Sequence, residues 1–270
     1  MDKAYQGFSK SQLIWKGSAY GMTQFEIPLS SMVITALPPV PTDRRLGHQA
    51  EFVFLQLLNA CSEYDVLAHS IQLIHDKRTL GELDYIIQNV KTKEVLHIEL
   101  TYKFYILDTI ISNPIDQLIG PNRKDTFVKK LNKTRDKQLP LLYSEPSKIA
   151  LKELGLEVTN IRQLVAFYAH IFVPYTDRTF RIENLNEDCI SGFWVSRDQF
   201  SQEVFKNYVY YLPTKTEWLH IPHDEKPWKS YDEVMDVLSS ISGDKRSVML
   251  WQREGDESGR GNGIVRVFVC

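Results

Sequence analysis

The sequence predicts an α/β fold, because patterns typical of helices and strands follow one another in the order α-β-β-β-α-β along its central part. The first helix is predicted over residues 44–62, where apolar side chains recur at roughly helical spacing. Asp43 stands just before it and is a plausible N-cap, since a short carboxylate can accept hydrogen bonds from the free amides of a helix start.

Three strand-like segments follow this helix, at residues 66–75, 80–90 and 95–106. Only the polar stretch 91–94 separates the last two. Two runs of alternating character joined by a short polar break are typical of a β-hairpin. The break contains no Asn-Gly pair, so the turn type stays open.

A second helix is predicted over residues 123–137 and ends before Pro140. Its apolar side consists of Phe127, Val128 and Leu131. Asn122 is the expected N-cap, and Asp125 would complete a variant of the capping box.

Three parts are predicted along the chain. Residues 1–43 form an N-terminal lead-in that ends in the proline cluster at 38–41, and residues 44–175 form the core. Residues 176–270 form an α+β C-terminal extension packed on that core.

The remaining predicted elements are helices at 147–154 and 231–242, a strand at 163–173, and a hairpin formed by 247–252 and 264–269. The glycine-rich stretch 255–263 is predicted to be an exposed, mobile loop, and it lacks the Lys-Ser or Lys-Thr ending of a phosphate-binding loop.

Bulk properties exclude several classes of protein. A formal net charge of −2 provides no overall attraction to nucleic acid, so such binding would need a local basic patch. The three cysteines are far apart and show no CxxC spacing, which fits a reducing compartment and argues against a disulfide framework or a zinc site. No segment resembles a signal peptide or a membrane span, so a cytoplasmic protein without membrane contact is predicted.

The most informative residues are two acids, Asp84 and Glu99, which lie on the neighbouring strands of the predicted hairpin. Because strand side chains alternate between faces, Glu99 shares its face with His97, Thr101 and Lys103. The opposite, core-facing set is Ile98, Leu100 and Tyr102. If the hairpin places the two acids across from each other, their carboxylates come close together.

Two nearby carboxylates repel each other unless a cation compensates their charge. Hard oxygen ligands in small number suit Mg²⁺ or Mn²⁺, and such an ion activates water for attack on a phosphodiester. The plainer interpretation is a pair of solvated acids on an exposed strand face.

Together these residues resemble the PD-(D/E)XK nuclease superfamily, and more narrowly the bacterial family called domain of unknown function 1853. The motifs that carry the narrower resemblance are residues 78–84, 97–105, 120–125 and 138–141, and the resemblance covers about residues 44–175. It implies a restriction-endonuclease-like core, with a central mixed sheet flanked by helices.

By this resemblance, Asp84 and Glu99 would be the metal ligands, Lys103 the catalytic lysine and Glu51 the acid of the first helix. The implied function is metal-dependent hydrolysis of DNA or RNA. Some superfamily members have lost catalysis, so an inactive module that binds nucleic acid or a protein partner is the alternative.

The position of the lysine departs from the superfamily pattern. A lysine two residues after the glutamate is expected, but that position is Thr101. Lys103 keeps the same face and lies about 6.6 Å further along the strand, at about 3.3 Å per residue. A lysine of the next helix would be the other source of this charge: Lys124, Lys129 or Lys133.

The same three lysines are the candidate nucleic-acid contacts, because several basic residues of the second predicted helix form a stripe. A solvated helix face is the other interpretation. His97 is either an outer metal contact or a structural histidine. The aromatic residues Trp194, Trp218 and those at 208–211 would either stack on unpaired bases or pack in the core.

Overall fold

A computed structural model describes residues 2–32, 37–177, 182–222, 226–241, 247–254 and 264–270. The helices are α1 Lys3–Ser9, α2 Leu46–Ala60, α3 Phe127–Lys133, α4 Glu145–Glu153, α5 Arg197–Phe200 and α6 Tyr231–Ser240. The strands are β1 Gln12–Leu13, β2 Ser18–Ala19, β3 Met22–Thr23, β4 Tyr64–His75, β5 Arg78–Asn89, β6 Val95–Leu107, β7 Leu118–Ile119, β8 Ile161–Pro174, β9 Ile190–Val195, β10 Tyr208–Tyr211, β11 Val248–Glu254 and β12 Val265–Val269. None of the helices in these ranges combines the length and apolar content needed to cross a membrane.

The fold is α/β, with one large mixed sheet in the order β10-β11-β12-β9-β8-β6-β5-β4. Strands β4, β5 and β6 pair antiparallel, as the hairpin pattern predicts, and β6 then pairs parallel with β8 from Val95–Ile161 to Ile106–Phe172. Short β1 and β7 attach to β8 and β6. From α2 to β8 the elements follow the predicted order α-β-β-β-α-β, with the two-residue strand β7 and a second helix, α4, added between β6 and β8.

Helices cover both faces of the sheet. On one face, Val53, Phe54 and Leu57 of α2 pack in the same cluster as Ile98 and Leu100 of β6. On the other face, Phe127 and Leu131 of α3 pack with Tyr105 of β6 and Phe167 and Ile171 of β8. Because apolar residues and helices enclose it from both sides, β6 is buried along nearly its whole length.

The C-terminal residues continue the same sheet instead of forming a separate layer. Strand β9 pairs parallel with both β8 and β12, and β11 and β12 form the predicted antiparallel pair. Where β9 meets β12, a Cβ on Gly192 would lie 2.0 Å from the carbonyl oxygen of Arg266, so only glycine permits this close approach. The predicted loop 255–263 lies outside the described residues.

The predicted three-part division of the chain stays a prediction. Residues of the lead-in contribute to the core, since Tyr5, Phe8 and Trp15 are buried, and the sheet runs without interruption past residue 175.

Two predicted helix caps are wrong. Helix α2 begins after Arg45, with no capping bond from a side chain, and Asp43 is exposed. Helix α3 begins after Thr126, whose hydroxyl accepts a hydrogen bond from Lys129 N, so Asn122 does not cap it. The chain at Asn122 is instead in a turn, because Arg123 has a positive φ of 56° and the strand pair β6-β7 precedes it.

The predicted helix over 123–137 begins too early, because residues 123–126 precede α3, and its C-terminal end is not α-helical. After α3, residues Thr134–Gln138 form a π-helix, and Leu139–Tyr143 form a 3₁₀-helix that contains Pro140. The helical backbone therefore passes the proline, because a 3₁₀ turn tolerates it at its start.

Of the two interpretations of the aromatic residues, core packing is confirmed for Tyr210, Tyr211 and Trp218, which are buried. Trp194 is half-buried, and its indole nitrogen donates a hydrogen bond to Leu107 O at 2.9 Å.

Candidate active site

The two strand acids meet where β5 and β6 separate. The last hydrogen-bonded pair on this side is Tyr85–Ile98, so Asp84 and Glu99 are the next opposed positions. Instead of continuing the ladder, Asp84 turns its side chain into the gap, and Oδ2 accepts a hydrogen bond from Leu100 N at 2.8 Å. Asp84 is partly exposed, whereas Glu99 is only 1% exposed. A carboxylate near the surface thus lies beside one that is shielded from water.

Side chains hold both oxygens of Glu99 in place. His97 Nε2 lies 3.0 Å from Oε1, and Gln138 Nε2 donates to Oε2 at 2.8 Å. Gln163 Nε2 donates to His97 Nδ1 at 3.1 Å, which assigns the ring proton to Nε2. Burial lowers the pKa of His97 to about 4, so this contact at neutral pH is a hydrogen bond from a neutral ring. His97 is therefore a support for Glu99, which favours the structural interpretation.

Gln138 also connects Glu99 to a lysine. Its Oε1 accepts hydrogen bonds from Lys130 Nζ at 2.8 Å and from Thr134 Oγ1 at 3.2 Å. The π-helix brings Gln138 to this position, and single π turns inside helices are common at functional sites.

Lys130 belongs to the basic stripe of the second predicted helix, but the stripe alone gives no reason to choose it over its neighbours. One signal was available: Phe127, Lys130, Leu131 and Thr134 follow the i, i+3, i+4, i+7 pattern of a buried helix face. Burial lowers the pKa of Lys130, and the nearby Lys133 lowers it further, while Asp84 and Glu99 act in the opposite direction. Lys130 is thus the lysine in electrostatic contact with both acids.

Four carboxylates influence one another here, and we call Glu51, Glu82, Asp84 and Glu99 the acidic cluster. Burial is the main cause that raises the pKa of Asp84, and the charges of Glu99 and Glu51 add to it. Burial likewise raises the pKa of Glu99, which Lys130 and Lys133 oppose. The pKa of Glu51 is raised by burial and by Glu82. Burial is thus the main reason that these carboxyl groups ionise less readily than exposed ones, and the neighbouring carboxylates add to it.

Of the other predicted site residues, the four lysines lie outside the acidic cluster, whereas Glu51 belongs to it. Lys103 is half-exposed and donates to Asp125 Oδ2 at 2.6 Å, although its charge still acts on Lys130. Lys124, Lys129 and Lys133 are exposed, and only Lys133 acts on Glu99. Glu51 is brought to the cluster by α2, whose backbone carbonyl at this residue accepts a hydrogen bond from Tyr85 Oη at 2.8 Å.

A family model described as "Domain of unknown function (DUF1853)" matches residues 28–270, which is most of the chain. The chain belongs to the DUF1853 family. Searches of curated proteins and of solved structures returned no significant match. Every residue of the acidic cluster, with Lys130 and Gln138, lies inside the matched region.

The donor set of this DUF1853 protein determines which metals fit. Within the described ranges, no three histidine, cysteine or acidic side chains converge as a metal-binding group. Zinc usually takes at least three protein ligands, whereas Mg²⁺ commonly takes one or two carboxylates and keeps several waters. Asp84 Oδ1 accepts no hydrogen bond from a described residue, whereas each Glu99 oxygen has a side-chain donor or donor-capable ring nitrogen beside it. The two acids therefore fit a hard divalent ion.

The raised pKa of Asp84 predicts that this carboxylate destabilises the metal-free protein at high pH. A group whose pKa is higher in the folded state gives its full stabilisation below the unfolded pKa and loses it as pH rises through the folded pKa, here up to about 8. At pH 8, Asp84→Asn should therefore raise the free energy of unfolding by more than about 1.4 kcal/mol, the equivalent of one pKa unit. The amide oxygen can still accept from Leu100 N.

Urea unfolding with a chelator at pH 5 and pH 8 measures this effect. At pH 5, Asp84→Asn should raise the free energy of unfolding by less than it does at pH 8. The exposed control Asp65→Asn should change this free energy little at either pH. An Asp84→Asn protein less stable than wild type at pH 8 would show that the fold stabilises this negative charge.

Proposed function

We propose that this protein is a metal-dependent nuclease of the PD-(D/E)XK superfamily, with a restriction-endonuclease-like core formed by α2 to β8. The observation that carries the proposal is the opposition of Asp84 and Glu99 at the point where two strands separate, beside the half-buried Lys130. Two neighbouring acids, one of them buried, next to a lysine of altered pKa are typical of catalytic sites and unfavourable as plain structure.

Mg²⁺ or Mn²⁺ is the proposed cofactor, held by Asp84 and Glu99. When bound, such an ion polarises the phosphate and lowers the pKa of a water molecule. A positive ion would also offset the effects that raise the pKa values of both acids, which are burial first and nearby carboxylates second.

The chain's own residues supply orientation and charge. His97 and Gln138 fix the plane of the Glu99 carboxylate, and Gln138 at the same time fixes the Lys130 ammonium. Lys130 is placed to stabilise negative charge as it develops on a phosphate oxygen. Glu51, which is exposed beside Asp84, can accept a proton or orient water.

Nucleic acid is the proposed partner, with Lys124, Lys129 and Lys133 as backbone contacts. These side chains are exposed on and next to α3, the helix that also holds Lys130. Binding of this kind should weaken as salt increases, because phosphate contacts release counterions. A cytoplasmic location belongs to the same proposal and fits the free cysteines.

An inactive module that binds nucleic acid or a protein partner is the second candidate. The ion pair between Lys103 and Asp125 favours it, because the lysine to which the resemblance gives the catalytic role is already engaged.

Incubation of the purified protein with single- and double-stranded DNA and RNA, with Mg²⁺, Mn²⁺ or chelator, separates the two candidates. The nuclease predicts cleavage with metal and none with chelator. Salt-sensitive binding with no cleavage under either metal would favour the inactive module.

Gln138 should control activity without touching the substrate. Gln138→Leu removes both the bond to Glu99 and the acceptor of Lys130, so cleavage should fall by about 10- to 100-fold, as is usual when a partner of a metal ligand is lost. Thr134→Val removes only the longer bond to the same oxygen and should reduce the rate much less. Equal rates for wild type and Gln138→Leu would exclude this role.

A further inference from the structure

A second buried charge lies outside the acidic cluster, in the C-terminal part of the sheet. Arg266 on β12 is 5% exposed, and its guanidinium lies over the ring of Trp251 on β11 at 4.6 Å from the centroid. The two residues are cross-strand partners. Aromatic faces compensate a buried cation only in part.

Polar side chains fix one end of this guanidinium. Arg266 Nη1 donates to His170 Nδ1 at 2.9 Å, and Ser191 Oγ lies 2.7 Å from the same ring nitrogen. On the other side of the ring, His170 Nε2 lies 2.7 Å from Tyr102 Oη. Burial lowers the pKa of His170 well below its usual value, so His170 is a neutral acceptor and brings no negative charge.

The other edge of the guanidinium has no partner among the described residues. The side-chain hydrogen bonds that Arg266 makes to these residues come from Nη1, and its Nε is buried without an acceptor among them. The indole nitrogen of Trp251 is likewise buried without an acceptor in the described ranges. No carboxylate in the described part of the chain forms an ion pair with Arg266. A buried arginine in this state is costly, because burial of a charge requires a counter-charge.

We propose that the free Nε–Nη2 edge of Arg266 binds a small oxyanion, either a carboxylate or a phosphate group, beside the indole of Trp251. The Nε–Nη2 edge of arginine matches two oxygens of such a group with two parallel hydrogen bonds. The contacts of Nη1 hold the Arg266 guanidinium in a fixed orientation before an anion binds, and this lowers the entropy cost of binding. This site lies on β11 and β12 and does not depend on the proposed nuclease activity.

Nuclear magnetic resonance of the arginine Nε–H and tryptophan Nε1–H groups tests the site directly. Sodium phosphate and sodium acetate are titrated separately into the full-length protein, with sodium chloride at matched ionic strength. The signals of Arg266 and Trp251 should shift saturably with one or both oxyanions and not with chloride, and the effective salt identifies the preferred chemistry. Signals that stay in place with both oxyanions, or that move equally with chloride, would overturn the proposal.

Variants provide a second readout through thermal unfolding. Arg266→Lys keeps the positive charge but lacks the two parallel donors of the guanidinium. It should therefore bind the effective anion at least about tenfold more weakly than wild type. Arg162→Gln, which removes an exposed arginine paired with Glu94, should respond to the anion as wild type does. If Arg266→Lys does not fold, the resonance titration of the wild-type protein still decides the question.

Discussion

Asp84→Asn and Glu99→Gln will each reduce metal-dependent cleavage more than about 100-fold, because loss even of a residue that only supports a metal ligand costs about 10- to 100-fold. Both substitutions keep the shape of the side chain and remove its charge. The introduced asparagine can still accept from Leu100 N. The introduced glutamine can still accept from His97, but it loses the hydrogen bond from Gln138.

A matched control separates the loss of a ligand from a general loss of negative charge. Asp65→Asn makes the same chemical change at an exposed position of β4, the strand next to β5, and should cleave as wild type does. Initial rates over a range of Mg²⁺ concentrations measure the effect. If both site variants still cleave nucleic acid, Asp84 and Glu99 are not the metal ligands.

Lys130→Met will reduce cleavage by about 100- to 1,000-fold, the usual cost of removing one group that stabilises charge in a transition state. Lys103→Met should stay within a few-fold of wild type, because Lys103 is half-exposed and paired with Asp125, whereas Lys130 is held by Gln138 beside the acids.

The comparison of the two lysine variants is the informative measurement, since both remove one lysine charge close to the same site. Single-turnover rates at saturating enzyme distinguish a slower chemical step from weaker binding. If the cleavage rate falls further in Lys103→Met than in Lys130→Met, Lys103 is the catalytic lysine. In that case the ion pair with Asp125 must open when substrate binds.

Much of the fold follows from local patterns. The alternation around Glu99 correctly predicts strand β6 and its core-facing residues Ile98 and Leu100. The polar face of the same strand is also buried, which the alternation cannot reveal, because the covering residues come from the segment after α3. Burial on both faces is what changes the pKa values of Glu99 and His97.

The sequence predicts less of the site than of the fold, because the residue that connects Glu99 to Lys130 lies on an irregular helix. From the sequence, Pro140 marks a helix end and Gln138 is one of many glutamines. The π turn at Thr134–Gln138 shifts the helix phase and turns Gln138 towards Glu99. Such a turn leaves little trace in residue spacing, so the connection from Glu99 through Gln138 to Lys130 emerges only in three dimensions.

The most direct measurement is anomalous diffraction from a crystal of the protein soaked in Mn²⁺. We expect one strong peak between the carboxylates of Asp84 and Glu99, and no such peak in a crystal of Asp84→Asn treated in the same way. A wild-type crystal with no peak between these two side chains, under conditions in which the protein cleaves nucleic acid, would contradict this expectation.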